Sequence, residues 1–256
     1  MNIKNLPQRI VCLSAEAADW LWRIGVWDKV VGATAFFLVP SGAPLKPRVS
    51  GFSTARLKEI EALNPDLVIT FSDVQAEFAA ELIKHGFPVV ATNQRTLAET
   101  EATLSMLGRI VGREAESERL LAEFRERLAP MATSTTRPRV YFEEWNDPLI
   151  SGIGWVGELI ERAGGADIFP ELRGKRAARD RTVTPEQVCG ANPEVVFASW
   201  CGKPVDAAAI SSRPGWLEIS AVRTKRIFEI PGEDILQPGF RLVFGFEQLK
   251  RIIAGK

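Results

Sequence analysis

A chain of 256 residues, 46% apolar and 25% charged, has the composition of a globular protein with ample core-forming side chains, which excludes a disordered chain. Its 32 basic and 32 acidic residues cancel, and no basic tract or aromatic-basic interleaving points to a nucleic-acid partner. Three cysteines, Cys12, Cys189 and Cys201, form no disulfide framework, and with one histidine, His85, a multi-histidine metal site or a Ser-His-Asp triad would have to be built around that single side chain.

The opening stretch, MNIKNLPQRIVCLSAEAADW, runs almost directly into a strand, with no apolar signal-peptide core and no lipobox cysteine. The expectation is a cytoplasmic protein if the sequence is native full length, and a periplasmic one if a signal peptide was removed. No uninterrupted 18-residue apolar run follows, so direct membrane insertion is not expected. The pattern then predicts strands at about 9–13, 29–33, 67–71 and 88–91, alternating with helices at about 15–25, 56–63 and 75–85. Continuous apolar runs such as DLVITF suit strands buried on both faces by crossover helices. His85, in ELIKHGFPVV, reads as a helix-end residue facing the dipole and solvent. It precedes the strand at 88–91 and so belongs at the amino-end edge of the sheet, far from the strand ends where ligands bind. No protein histidine is therefore expected to coordinate a ligand's metal.

Residues 97–136 read as a helical connector interrupted only at Gly108 and Gly112, with Leu120, Leu121, Phe124 and Leu128 at helical spacing. Beyond the polar turn TSTTRP come strands near 139–144, 194–198 and 226–230, and helices near 154–163, 184–190, 214–219 and 240–253. The domain reading is an N-terminal lobe at 1–96, the connector at 97–136 and a C-terminal lobe at 137–256. The fold class is α/β, two Rossmann-like parallel-sheet lobes joined by a long helix, with a ligand cleft between the lobes. A long-range repeat supports two like lobes. Arg9 and Arg139 open strands 130 positions apart, and the helix-Asn-Pro-strand segments LKEIEALNPDLVITFSD and PEQVCGANPEVVFASWC place Pro65 and Pro193 128 apart. Each proline stops a helix and is expected to push its preceding asparagine toward an extended conformation.

The motif Gly152-x-Gly154-x-x-Gly157 has the spacing of a dinucleotide-binding turn and raises the possibility of a nicotinamide or flavin enzyme. Its context argues against that. Asn146 to Ser151, including Pro148, separate the motif from its strand, GADIFPELRG is loop-like where an acidic strand end is wanted, and Trp155 adds bulk. The same residues read better as part of a binding wall. Ligands in open parallel sheets bind beyond the carboxyl ends of strands. Those ends are Ser14, Phe36, Phe37, Phe71, Ser72 and Asp73 in the first lobe, and Glu144, Trp145, Trp200, Cys201 and the DILQPGF loop in the second, with Trp155 at a helix start. Aromatic side chains thus gather at loop positions. Cys201, followed by Lys203, reads as a ligand-contacting thiol whose pKa a nearby cation could lower, although no histidine base accompanies it. Adjacent Glu143 and Glu144 face opposite sides of a strand and form no paired-acid site; Glu144, nearer the end, is a candidate ligand acceptor. Arg241 reads as a surface arginine that could meet a carboxylate or phosphate.

These features together, with RIVCLSAEAADWLWRIGVWDKVVGAT, ISGIGWVGELIERAGG and LQPG, resemble the class III substrate-binding proteins of ABC importers over about Arg9 to Ile253. Within that group the chain looks most like vitamin B12-binding proteins, with haem and siderophore binders in the wider set. The resemblance implies a ligand held between lobes by aromatic side chains: Phe36, Phe37, Phe52 and Phe71 on one side, Trp145, Trp155 and Trp200 on the other, and Gln237 to Phe240 at the rim. It also implies an acidic residue on each lobe that docks on a permease. Glu186 fits on the second lobe, while the first has Lys58 at the matching position with Glu59 beside it. The expected function is non-enzymatic binding of a large planar ligand, a corrinoid such as cobalamin or cobinamide, with haem or a siderophore as the alternative in the same family and a dinucleotide-dependent enzyme as the alternative in another class. No catalytic residue, protein metal site or catalytic cofactor is expected. The partners would be the ligand and either an ABC permease or a corrinoid-accepting protein, with the chain a monomer.

Overall fold

In the computed structural model, which describes residues 6–51, 55–131 and 137–255, the chain divides into two units. One comprises the chain up to Gln94 with Ala98–Phe124, and the other Arg95–Leu97 with the chain from Arg125 onward.

The first unit is built around strand β1 (Ile10–Cys12), whose three residues are fully buried. Ser14 then caps helix α1 (Ala15–Arg23), its hydroxyl accepting from the Ala17 amide at 3.2 Å. Gly25, at φ +73°, turns the chain out of that helix toward β2 (Val30–Thr34). The remaining elements are β3 (Arg48–Ser50), α2 (Leu57–Ala62), β4 (Leu67–Phe71), α3 (Ala76–Lys84), β5 (Val89–Thr92) and the helices α4 (Leu97–Ile110) and α5 (Glu114–Arg127). All strand pairs are parallel, in the order β3-β2-β1-β4-β5. Val11, Leu13, Val49, Ile60, Val68 and Leu82 form one of its apolar clusters. The sequence pattern missed β3, which is only three residues long and follows Pro47, too short for a period to register. Where one long joining helix was expected there are two, because Gly112 adopts φ +71°, which ends a helix. Gly108 does not break its helix. A Cβ there would lie 2.4 Å from the Ser117 side chain, so the missing methyl lets α4 and α5 approach closely.

In the second unit a long strand, β6 (Arg139–Asn146), is the centre of the sheet. It is followed by β7 (Leu149–Ser151), α6 (Gly154–Arg162), β8 (Ala166–Asp167), α7 (Pro185–Ala191), β9 (Val195–Ala198), α8 (Ala207–Ser211), α9 (Ser220–Arg223), β10 (Ile227–Glu229), α10 (Gly232–Ile235) and α11 (Leu242–Ile253). The sheet runs β10-β9-β6-β7, with β8 also on β6. β9, β10 and β8 pair in parallel, but β7 folds back antiparallel through the Asp147-Pro148 turn, a departure from the expected all-parallel lobe. The helix expected near 214–219 is a single 3-10 turn at Trp216–Glu218 followed by α9, since Gly215 takes φ +80° next to Pro214. Tyr141, Val188, Val196, Trp200, Ile210 and Trp216 are among the buried residues of its core.

The Asn-Pro repeat has a physical basis that differs from the expectation. Asn64 and Asn192 are not extended; both adopt left-handed backbone at φ 45°, ending α2 and α7 as glycine commonly does. The arginine that opens the neighbouring strand then satisfies the freed carbonyls. Arg9 Nε donates to the Leu63 and Asn64 oxygens at 3.1 and 3.0 Å, and Arg139 Nε donates to the Asn192 oxygen at 2.9 Å. In turn, Asp66 and Glu194 accept from the Arg9 and Arg139 amides, both at 2.9 Å. A cation at a helix carboxyl end also meets the negative end of the dipole.

Candidate functional site

At the carboxyl ends of the first sheet, Phe36 is 39% exposed on the loop after β2, whereas Phe37 is buried with its ring 5.0 Å from that of Trp27. Phe71, the last residue of β4, is half-buried. Its amide donates to Gln75 Oε1 at 3.0 Å, and Gln75 Nε2 reaches the Leu13 carbonyl at 3.1 Å, so this side chain ties the ends of β4 and β1 together. Between them Ser72 sits at φ 63°, a conformation that is costly for a residue with a Cβ and recurs at binding and catalytic sites. Leu38, Leu45 and Val74 add exposed apolar surface to the same loops. Phe52 lies outside the described residues.

At the carboxyl ends of the second sheet, Trp145 is half-buried near the end of β6, its indole N–H donating to the Asp147 carbonyl at 2.9 Å. Trp200, just beyond β9, is 6% exposed and donates to Glu143 Oε1 at 3.1 Å. Glu143 is fully buried and forms a bidentate pair with Arg213 at 2.6 and 2.9 Å. Glu144, expected as a ligand acceptor, is instead held by Arg181 at 2.5 and 3.0 Å. Arg181 is itself buried and also donates to the Ser151 carbonyl. Two adjacent glutamates thus face opposite ways, as expected of a strand, and each is neutralised by an arginine distant in sequence. Lys203 lies over both tryptophans, its Nζ 4.2 Å from the Trp145 ring centre and 5.0 Å from that of Trp200, and donates to Asn146 Oδ1 at 2.6 Å.

Cys201 is exposed, but burial of its sulfur environment and then the charge of Glu144 push its thiol pKa up, so the expected lowering by Lys203 does not occur. The ammonium is engaged with the tryptophan rings instead. Trp155 is buried, with its N–H donating to the Ile235 carbonyl at 2.8 Å, and Phe240 is buried as well. Gln237 is half-buried, in a tight turn closed by the Gly239 amide at 2.8 Å. Arg241 is paired with Asp234. Trp145, Trp200 and Lys203 are brought together; Trp155 is placed with the helix that follows β7.

The glycine motif is explained by packing. A Cβ on Gly154 would lie 2.5 Å from the Arg95 carbonyl oxygen and 2.9 Å from that of Arg173, and one on Gly157 would meet Arg173 Nε at 2.5 Å and Asp167 Oδ2 at 2.7 Å. The chain's own backbone and an ion pair occupy the space that a pyrophosphate would need, and the motif follows an antiparallel hairpin.

Elsewhere, His85 caps the end of α3, exposed, with Nδ1 3.0 Å from Glu61 Oε1. Glu59 is exposed and pairs with Arg56 at 2.8 Å. Glu186 is exposed in the first turn of α7, where hydrogen bonding from its own amide and then from Thr184 holds its carboxyl below the ordinary value. Among the described residues no cluster of three or more His, Cys, Asp or Glu is arranged to hold a metal ion, and no helix is long and apolar enough to cross a membrane.

Residues 10–233 match the model of a family described as periplasmic binding protein. Similar proteins include the ABC transporter substrate-binding lipoprotein YvrC of Bacillus subtilis, 25% identical over 99% of this chain and 82% of that protein. The cobalamin-binding protein of Halobacterium salinarum is 28% identical over 95% of this chain and 68% of its own length. Among solved structures, the periplasmic vitamin B12 binding protein BtuF of Vibrio cholerae superposes with a TM-score of 0.73 at 24% identity, over 97% of both chains. The periplasmic heme-binding protein RhuT of Roseiflexus sp. RS-1 gives 0.81 at 21% identity, over 97% of this chain and 98% of that one. With the family match spanning most of its length, the chain belongs to the periplasmic binding protein family, the substrate-binding proteins of ABC importers whose class III members its sequence resembles.

Proposed function

We propose that this protein binds a large planar tetrapyrrole-type ligand, a corrinoid such as cobalamin or cobinamide, without chemical conversion, and delivers it to an ABC permease. The observation that carries the reading is the aromatic set at the carboxyl ends of the strands, with Phe36 exposed and Phe71 and Trp145 partly accessible. Flat macrocycles bury wide apolar faces against rigid rings while a few polar groups hold their edges. The choice of a corrinoid follows the relatives whose names carry cobalamin or vitamin B12 and that align over most of this chain. Haem is the second reading, favoured by the structural likeness to heme-binding proteins. Glu186, exposed and ionised on α7, is the candidate permease contact, and exposed Glu59 on α2 is its candidate counterpart.

The test is calorimetric and spectroscopic titration of the purified chain with cobalamin, cobinamide, haem and NAD(P)H. Saturable binding of a corrinoid at one site per chain is the expected result. Saturation by haem alone would favour the second reading, and no saturation by any tetrapyrrole would remove both.

A further inference from the structure

We propose that Lys203 is the specificity-determining cation of this site, selecting planar ligands that carry an oxyanion, a carboxylate or a phosphodiester, on their edge; the inference rests on the ligand reading above. Three cations gather at the carboxyl end of β6. Arg213 is neutralised by buried Glu143 and Arg181 by half-buried Glu144, each through two hydrogen bonds. Lys203 is different. It has no acidic partner among the described residues; its ammonium rests over Trp145 and Trp200 and donates to the neutral oxygen of Asn146. An ammonium carries three donors, so this contact leaves it capacity for a further acceptor.

Its placement is built by the backbone. Gly202, at φ +77°, lets the chain reverse after Trp200, and the Lys203 amide closes the turn onto the Trp200 carbonyl at 3.3 Å. The side chain then covers the Trp145 face, the surface against which a flat ligand would stack. A ligand must displace the ammonium to use that face. Cation–π attraction at an exposed site is weaker than a charge-assisted hydrogen bond to a carboxylate or phosphate. A ligand with an oxyanion on its edge therefore gains an ionised partner as it takes the ring, whereas one with only neutral edge groups loses the cation–π contact and gains at most a weaker bond to a neutral acceptor. Lys203 discriminates between the two classes.

The experiment compares paired probes on the full chain and on Lys203→Gln and Lys203→Arg variants, following tryptophan fluorescence and visible absorbance. Cobalamin carries a phosphodiester that cobinamide lacks; iron protoporphyrin IX carries two carboxylates that its dimethyl ester lacks. The expected result is that Lys203→Gln weakens binding of the oxyanion-bearing member of whichever pair the protein recognises by about 5- to 10-fold, the scale of one partly exposed charge-assisted bond. The neutral-edged member should bind unchanged or more tightly, Lys203→Arg should keep the preference, and added salt should shrink it in the wild type and in Lys203→Arg but not in Lys203→Gln. Which pair responds identifies the oxyanion. An equal effect on both members, or none, would overturn the role of Lys203 while leaving the ligand reading intact. A wild-type protein that binds no member of either pair would remove the ligand reading and this inference with it.

Discussion

Trp200 shows how burial changes the meaning of a side chain chosen for its position after a strand. From sequence it is a stacking surface whose removal would weaken ligand binding and spare the fold. In the structure its ring belongs to the core of the second unit and its N–H satisfies Glu143, a carboxylate with no solvent access. Truncation would leave a cavity and take a hydrogen-bond donor from a buried charge. Trp200→Ala is therefore expected to lower folding stability by about 3–5 kcal/mol, the range for large-to-small changes at aromatic core positions. Urea unfolding of the unliganded protein checks this, and an unchanged midpoint would return Trp200 to a purely ligand-facing role. Trp145, half-buried and under Lys203, is the tryptophan of this pair better placed to meet a ligand.

At the scale of elements, the start of α6 was the most misleading part of the sequence. Glycine spacing does not say what approaches the glycines. The neighbours are the Arg95 and Arg173 carbonyls at Gly154, and the Arg173–Asp167 ion pair at Gly157. Backbone cannot retreat as a side chain can. Gly154→Ala is thus expected to destabilise the protein by about 1–3 kcal/mol through overpacking. Gly157→Ala should be milder, since Arg173 can swing aside at the loss of a partly exposed ion pair. Thermal denaturation of both variants tests the ranking, and equal effects would refute it. The helix-Asn-Pro-strand segments illustrate the opposite case. Their existence and offset were legible, because a proline stops a helix whatever surrounds it. Their left-handed asparagines were not, because that backbone is held by partners distant in sequence, Arg9 and Arg139.

For the molecule as a whole, a formal charge of zero and a pI near 6.7 leave no large self-repulsion at neutral pH. Acid sensitivity should come from particular carboxylates. Burial by itself would raise Glu161, but hydrogen bonds from Arg137 and Arg173, reinforced by their charges, hold its pKa below the ordinary value. A folded-state pKa lower than the unfolded one contributes stability that is complete above the unfolded value, about 4.3, and is lost as pH falls through the folded value. Urea midpoints measured from pH 6 to pH 3 should therefore drop in the acid range. Glu161→Gln should lower the midpoint at neutral pH and flatten that drop; an unaltered acid profile would assign the sensitivity elsewhere.

The sequence by itself determined the class of protein: α/β, with parallel strands from continuous apolar runs, helix ends marked by proline and glycine, and a family resemblance carried by whole segments. These follow from local sterics and from burial on both faces of a strand, which a linear pattern records. His85 at the end of α3, on the amino-end side of its sheet, was legible for the same reason. Only the tertiary structure decided which aromatics are interior and which are accessible, separating Phe36 from Phe37 and Trp145 from Trp155, since neighbouring or like residues differ only in what packs on them. It also decided the charges: Glu143 with Arg213, Glu144 with Arg181, and Lys203 turned onto the tryptophans. The two ion pairs and the reach of Lys203 to Asn146 join residues from 37 to 70 positions apart, and no local period or propensity encodes a contact at that range.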